Sequence, residues 1–238
     1  GTQDCANKFV VSEILYGSAE IHPMADLDHA EYLLMIGTNP RISKMSFLST
    51  PDPVAALRDA RKRGAEIVFV NPLAIEDLSD VGSTLQIRPD TDAYLLASML
   101  CEVDTAPDLG FDIAACEGIE GLAELRAFVA AYPPERVSAV VGIEVEIIRS
   151  MARSFATANG AAIHLSTGVN MGRQGSLAYY LAQMLSLVTG NLDREGGNIL
   201  PARGVLPMVM PPEASADRPT QWGAYRPARG TPPGSLMA

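Results

Sequence analysis

Four short segments of the 238-residue chain carry groups suited to gripping a nucleotide. They are Gly37-Thr38-Asn39-Pro40, Asn71-Pro72, Arg88-Pro89-Asp90-Thr91-Asp92, and the stretch Thr167-Gly168-Val169-Asn170-Met171-Gly172-Arg173-Gln174-Gly175. Glycine-rich backbone offers N–H groups to phosphate oxygens, amides suit a ribose or a base, and carboxylates suit a purine edge. A carboxylate such as Asp92 can accept two N–H bonds from guanine, which presents a ring N–H beside an exocyclic amine. Adenine lacks that pair, so an acid here favours guanine. Each segment also has a purely structural reading. Gly37 and Gly168 serve equally as turn glycines, and Asn39-Pro40 and Asn71-Pro72 are ordinary turn starters. Asp92 at a helix start is favourable through the helix dipole alone, and Arg88 reads equally as a surface ion-pair partner.

Self-contained catalytic signatures are missing. No GxGxxG follows the first apolar run, and there is no phosphate-binding GxxxxGK[ST], no GxSxG elbow and no HExxH. Cys5, Cys101 and Cys116 form no CxxC, and His22 and His29 lack metal-ligand spacing. His164 lies in an apolar run and reads as a satisfied core histidine, while Cys101 and Cys116 read as buried packing residues. No catalytic residue can be assigned, which points to a nucleotide-type binding module.

The elements that must position these segments alternate. Tyr32–Ile36 and Ile67–Val70 are short apolar runs of the kind buried on both faces of a parallel sheet, Thr84–Ile87 is a third, shorter strand and Ala161–Leu165 a fourth strand candidate. Between them the apolar stripes predict helices over 51–63, with Pro51 in the first turn and Gly64 as the stop, and over 92–101 with Thr91 as N-cap. Further helices are expected over 118–131, from Pro134, over 145–157 and over 176–189, and Phe9–Tyr16 reads as a turn or two. The order β-α-β-β-α-α-α-β-α gives an α/β class with a mostly parallel sheet, a Rossmann-like three-layer domain. In such sheets ligands bind beyond the carboxyl ends of the strands, where all four segments lie.

The expected organisation is a lead-in over 1–30, an α/β domain over 31–200 and an extended Pro-rich arm over 201–238. The arm holds nearly half of the 17 prolines, with Met208 and Met210 as anchors to a surface. The first and last residues read as cuts within a longer chain. Net charge is −10, which argues against nucleic acid or anionic membrane as partner. With 47% hydrophobic residues the chain can bury a real core. No apolar run is long enough to span a bilayer. The N-terminus lacks a secretory pattern, so the expected location is cytoplasmic.

Five runs, in order, carry a family resemblance. They are Tyr32-Leu33-Leu34-Met35-Ile36-Gly37-Thr38-Asn39-Pro40, Arg63-Gly64-Ala65-Glu66-Ile67-Val68-Phe69-Val70-Asn71-Pro72, Ile87-Arg88-Pro89-Asp90-Thr91-Asp92, Ser166 through Gly175, and Leu187-Val188-Thr189-Gly190-Asn191-Leu192-Asp193-Arg194-Glu195-Gly196-Gly197. Over roughly residues 30–200 the chain resembles the molybdopterin oxidoreductases, large catalytic subunits that include formate dehydrogenases, nitrate reductases and dimethyl sulfoxide reductase.

The resemblance implies one α/β domain of a longer subunit that holds molybdenum or tungsten between two molybdopterin guanine dinucleotides. It implies two-electron chemistry on a small substrate such as formate, nitrate or an S- or N-oxide, by the parent and not by this piece alone. Gly37, Thr38, Asn39 and Pro40 would approach the pyrophosphate. Asn71 and Pro72 would sit near ribose or guanine, with Arg88 and Asp90 beside them and Asp92 on the guanine edge. Gly168, Asn170, Met171, Gly172, Arg173 and Gln174 would line the pterin side. The implied partners are the remaining domains and an iron–sulfur electron-transfer subunit.

Two departures stand out. Asn71 replaces the Asp that many relatives carry, and no cluster-binding cysteine motif opens the chain. The run Lys8-Phe9-Val10-Val11-Ser12-Glu13-Ile14-Leu15-Tyr16-Gly17 resembles the segment from which the family takes its metal ligand. Ser12 is the candidate there, a hard oxygen suited to oxidised molybdenum, with an N-cap or surface residue as the competing reading and Cys5 as a weaker candidate. Two alternatives remain open: a non-catalytic nucleotide-binding module like the central domain of thiamine-diphosphate enzymes, and a pure interaction domain suggested by the Pro-rich arm.

Overall fold

The computed structural model describes residues 5–43, 48, 50–75 and 78–200. Helix α1 (Ala6–Tyr16) and the short strand β1 (Met24–Ala25) lead into β2 (Tyr32–Ile36), α2 (Pro40–Ser43) and α3 (Pro53–Lys62). There follow β3 (Glu66–Asn71), β4 (Ser83–Gln86), α4 (Asp92–Thr105), α5 (Leu122–Val129), α6 (Pro134–Val141) and α7 (Val145–Thr157). The chain continues through β5 (Ala161–Leu165), α8 (Thr167–Asn170), α9 (Gly175–Val188) and β6 (Asn198–Ile199). The expected Pro-rich arm, with Met208 and Met210, lies outside the described residues.

Four strands pair in parallel, as the alternating sequence predicts, and their order is β4-β3-β2-β5. Every residue of β2 and of β5 is buried, because helices cover both faces. The register places Leu34 beside Val68 and Ile163, and the one-residue alternation sends their neighbours to the other face. Leu34, Val68 and Ile163 join one core with Leu96 of α4, Phe155 of α7 and Leu185 of α9. Leu33, Met35 and Phe69 join a second with Leu57 and Ala60 of α3. Each large apolar side chain buried this way contributes roughly 1.5–3 kcal/mol before entropy is counted.

Several local expectations shift by a residue or a turn, each for a visible reason. Helix α3 starts at Pro53 instead of enclosing Pro51, because Asp52 is the cap: its carboxylate accepts from Ala55 N at 3.0 Å. Thr91 stands at the N-cap position of α4 but does not cap it; its hydroxyl donates to the Arg88 carbonyl at 2.7 Å. Helix α4 runs past Cys101 to Thr105 because Val103 is still core. Helix α5 is shorter than 118–131, since Gly118 and Gly121 both adopt positive φ and cannot be helical. The lead-in is a full helix, α1, packed on α9. Residues 167–170 are a helical turn, α8, where only a Gly-rich turn is expected.

The β1–β6 ladder has no counterpart in the sequence reading. It flanks β5, whose outer edge is closed by two amide side chains. Asn198 accepts from Ile163 N and donates to Ile163 O, both at 2.9 Å, and Asn191 accepts from Ala161 N at 3.0 Å. Buried edge groups thereby find partners without another full strand. Among the described residues no helix is long and apolar enough to cross a membrane.

Candidate functional site

The strand order reverses between β2 and β5; the chain leaves β2 through Gly37 and meets Gly168 three residues beyond the end of β5. Gly37, at φ +64, donates its N–H to Val70 O at 2.9 Å and accepts from Gly168 N at 3.0 Å. A Cβ on Gly37 would stand 2.7 Å from Val169 N, and one on Gly168 would stand 2.7 Å from Gly37 O. Gly37 is therefore required by its positive φ and by a close backbone approach, and Gly168 by the close approach alone. Beside them Thr38 is 2% exposed, and its hydroxyl has no hydrogen-bond partner among the described residues. Such a group costs roughly 1–3 kcal/mol when left unpaired.

The other segments are tied to this pair. Asn71 Nδ2 donates to the Thr38 carbonyl at 3.0 Å, joining the loops after β2 and β3. Asn39 caps α2 through its side chain, accepting from Arg41 N at 3.1 Å, with Pro40 buried as the first helical residue. Pro72 is exposed, and its carbonyl accepts from Gln86 Nε2 at 3.2 Å. Asp90 holds the left-handed conformation at φ +65, and its Oδ1 accepts from Arg173 N at 2.7 Å. That bond joins the loop after β4 to the loop after β5, and a Cβ on Gly172 would crowd Asp90 Oδ1 at 2.8 Å. Met171 is 67% exposed, while Asn170 is buried and Arg173 and Gln174 are open to solvent.

Two carbonyls of the end of α6 claim Arg88. Its N–H donates to Val141 O at 2.8 Å and its guanidinium to the Ala139 carbonyl, so among the described residues it forms no surface ion pair. The negative end of a helix is a natural seat for a cation. Asp92 is half-buried, and burial, with the nearby Asp90 charge, pushes its carboxyl up to about 6. A carboxylate shifted upward at the mouth of a parallel sheet is the kind of group found at binding sites.

A buried polar cluster lies beneath the loop after β5, and sequence reasoning missed most of it. Ser12 is fully buried in the middle of α1, with Oγ 3.0 Å from His22 Nδ1, so it is neither an N-cap nor a surface residue. The N-cap position falls to Cys5, which places Ser12 on the inward stripe formed by Lys8, Val11, Ser12 and Leu15. A lysine at an inward position of that stripe is the signal that could have found Lys8. Burial lowers its ammonium to about 8. Burial and the Lys8 charge push His22 down to about 4 and hold His164 well below its ordinary value.

His164 is buried as expected but not satisfied: its Nε2 has no partner among the described residues. It lies on β5, the edge strand of the parallel sheet, opposite Met35 of β2. Cys101 is buried and Cys116 only half-buried, and burial raises both thiols. His29 is exposed and paired with Asp26 at 2.9 Å. Among the described residues no group of three or more His, Cys, Asp or Glu could hold a metal. A cavity of about 1010 Å³ lined by residues such as Asp28, Glu31, Arg63 and Arg194 shares no residue with the four loops.

No protein-family model matches the chain. It is 28% identical over 192 residues to a formate dehydrogenase alpha subunit of Methanocaldococcus jannaschii, covering 79% of this chain and 27% of that protein. It is 28% identical over 183 residues to formate dehydrogenase H of Escherichia coli, covering 75% of this chain and 24% of that protein. Among solved structures, acetylene hydratase from Pelobacter acetylenicus shares the fold with a TM-score of 0.68 at 22% identity, over 79% of this chain and 25% of that one. The chain spans about a quarter of the length of the curated relatives it matches.

Proposed function

The chain belongs to the molybdopterin oxidoreductases, and on that premise we propose that it is the Rossmann-like domain holding one molybdopterin guanine dinucleotide in the catalytic subunit of such an enzyme. The observation that carries the reading is the strand reversal itself. There a pair of glycines brings the exits of β2 and β5 into backbone contact beside the buried, unpartnered Thr38 hydroxyl. That hydroxyl lacks an acceptor among the described residues, and a pyrophosphate oxygen would supply one.

The residues fit the rest of the ligand. Gly37, Thr38, Asn39 and Pro40 hold the pyrophosphate. Asn71 spends its N–H on the Thr38 carbonyl, which leaves its side-chain oxygen to accept from a ribose hydroxyl as an aspartate would. Asp92, lacking a described salt bridge, accepts the paired N–H groups of guanine. The loop bearing Gly168, Asn170, Met171, Gly172, Arg173 and Gln174 lines the pterin side, and the Asp90–Arg173 bond sets its distance from the guanine side. Ser12 would have to give up its bond with His22 to reach a metal.

When bound, the metal centre supplies two-electron transfer to a small substrate such as formate, nitrate or an S- or N-oxide. The chain's own part is to bind and orient. The remaining domains and an iron–sulfur electron-transfer subunit are its partners in this reading, and the relatives above lend no support to the thiamine-diphosphate alternative. Calorimetric titration with GDP and ADP tests it: GDP should bind the chain in clear preference to ADP, and equal or absent binding of both would overturn it. A second check is turnover. The purified chain should not convert formate or nitrate, because the cofactor cage is shared with other domains.

A further inference from the structure

Helix α1 precedes the sheet in the chain, yet its first turn is built into the loop that follows the last strand of the parallel sheet. Asn7 Nδ2 donates to the Asn170 carbonyl, and Asn7 Oδ1 accepts from Ser176 Oγ at 3.0 Å. One residue on, the Lys8 ammonium donates to the carbonyl of Leu165, the final residue of β5, and lies 5.7 Å from the Tyr179 ring centre. These bonds grip the segment 166–175 where it leaves β5, in its middle and where it enters α9. The backbone is fitted to them: a Cβ on Gly175 would overlap Asn7 Nδ2 and stand 2.8 Å from the Asn170 carbonyl.

A helix needed only to cover the core would carry Leu or Met at position 8. Burying an ammonium costs several kcal/mol of hydration, and an apolar residue there would avoid that cost. Among the described residues the polar pair reaches two carbonyls of one stretch of chain, that of Leu165 at the end of β5 and that of Asn170 in the loop that follows. The opposite side of the loop is held by the Gly37 and Asp90 contacts already described.

We propose that Asn7 and Lys8 are positioning residues: α1 splints segment 166–175 and so sets the backbone that faces the pterin side of the ligand. The ligand part of this statement rests on the function proposed above; the splint does not. Amide hydrogen exchange on the full 238-residue chain tests it with Lys8→Met and Asn7→Asp. The first keeps side-chain length without the donor. The second keeps the acceptor for Ser176 and loses the donor to Asn170.

In both variants the amides of 166–175 should exchange at least about tenfold faster, while α7 and β3 keep their protection. Unchanged exchange in 166–175 overturns the proposal, and so does an equal acceleration across α7, which marks general loosening. Should Lys8→Met fail to fold, Asn7→Asp decides alone. GDP titration of the unaltered chain reads the dinucleotide assignment separately. A loosened loop in a chain that prefers GDP supports splint and site together, and a loosened loop in a chain indifferent to GDP keeps the splint and removes the dinucleotide assignment.

Discussion

Gly168 donates its N–H to the Gly37 carbonyl at 3.0 Å, so the exits of the two strands flanking the reversal of strand order are joined backbone to backbone. Two further loop contacts at the carboxyl edge stand beside that join. Asn71 reaches the Thr38 carbonyl next to it, and Asp90 reaches Arg173 on the far side of the same loop.

A methyl group at this join cannot be accommodated without parting the strands. Gly168→Ala would place a Cβ 2.7 Å from Gly37 O and 2.9 Å from its Cα, both rigid backbone atoms. Overpacking of this kind costs about 1–3 kcal/mol, read as a fall in the urea midpoint at unchanged slope. GDP binding should fall with it, because the Gly37 loop moves. A variant as stable as the parent would show that the two backbones separate freely.

Asp92 gives guanine preference a pH signature. Its carboxyl sits at about 6, so a guanine edge that needs the carboxylate should bind progressively less well as pH falls through 6. Asp92→Asn should lose about tenfold or more in GDP affinity at neutral pH, the usual worth of a hydrogen bond to a charged group. ADP affinity should be unchanged. If GDP binding by the variant keeps both its strength and its pH dependence, guanine is not read by Asp92.

The buried histidines govern acid stability. His22 titrates near 4 in the fold against 6.5 unfolded, and His164 is held down in the same direction. The unfolded chain therefore binds more protons between these values, and stability falls as pH drops from about 6.5 toward 4. Asp92 acts oppositely: its carboxyl takes up a proton in the fold before the unfolded chain does, which relieves its burial as pH falls below 6. The His22 and Asp92 shifts oppose each other, and the downward shift of His164 adds to that of His22 on the side of acid destabilisation. Urea midpoints measured from pH 7 to 4.5 should decline, and His22→Gln should flatten the decline. A midpoint that rises on acidification would contradict the burial of both imidazoles.

The sequence made the parallel sheet legible because β2, β3 and β5 are short, largely apolar runs separated by amphipathic helices, the pattern of the α/β class. It also made the ligand-facing loops legible, since glycine, Asn-Pro and acidic residues fall together at the ends of those strands. The Lys8–Ser12–His22 cluster was hidden by its own amino-acid types. Polar residues on a short helix read as solvent-facing unless the inward stripe of Lys8, Val11, Ser12 and Leu15 is followed through. The β1–β6 ladder was hidden for another reason: two residues are too few for any periodicity, and their pairing partners stand far apart in the chain.

That ladder carries the last prediction. Asn198 substitutes for a neighbouring strand, accepting from Ile163 N and donating to Ile163 O at 2.9 Å each. Its Oδ1 also takes the Ser186 hydroxyl at 3.2 Å. Asn198→Leu would fill similar space and take their partner from three buried polar groups, Ile163 N, Ile163 O and the Ser186 hydroxyl. Leaving buried groups unpaired costs roughly 1–3 kcal/mol apiece before relaxation, so a loss of about 2–4 kcal/mol is expected. Serine at 198 is too short to bridge both Ile163 groups and should recover little. The loss should appear in equilibrium unfolding, with the Ile163 amide exchanging faster than amides of β3. A destabilisation below about 0.5 kcal/mol, the range of ordinary surface changes, would mean that the edge of β5 is closed by something other than this amide.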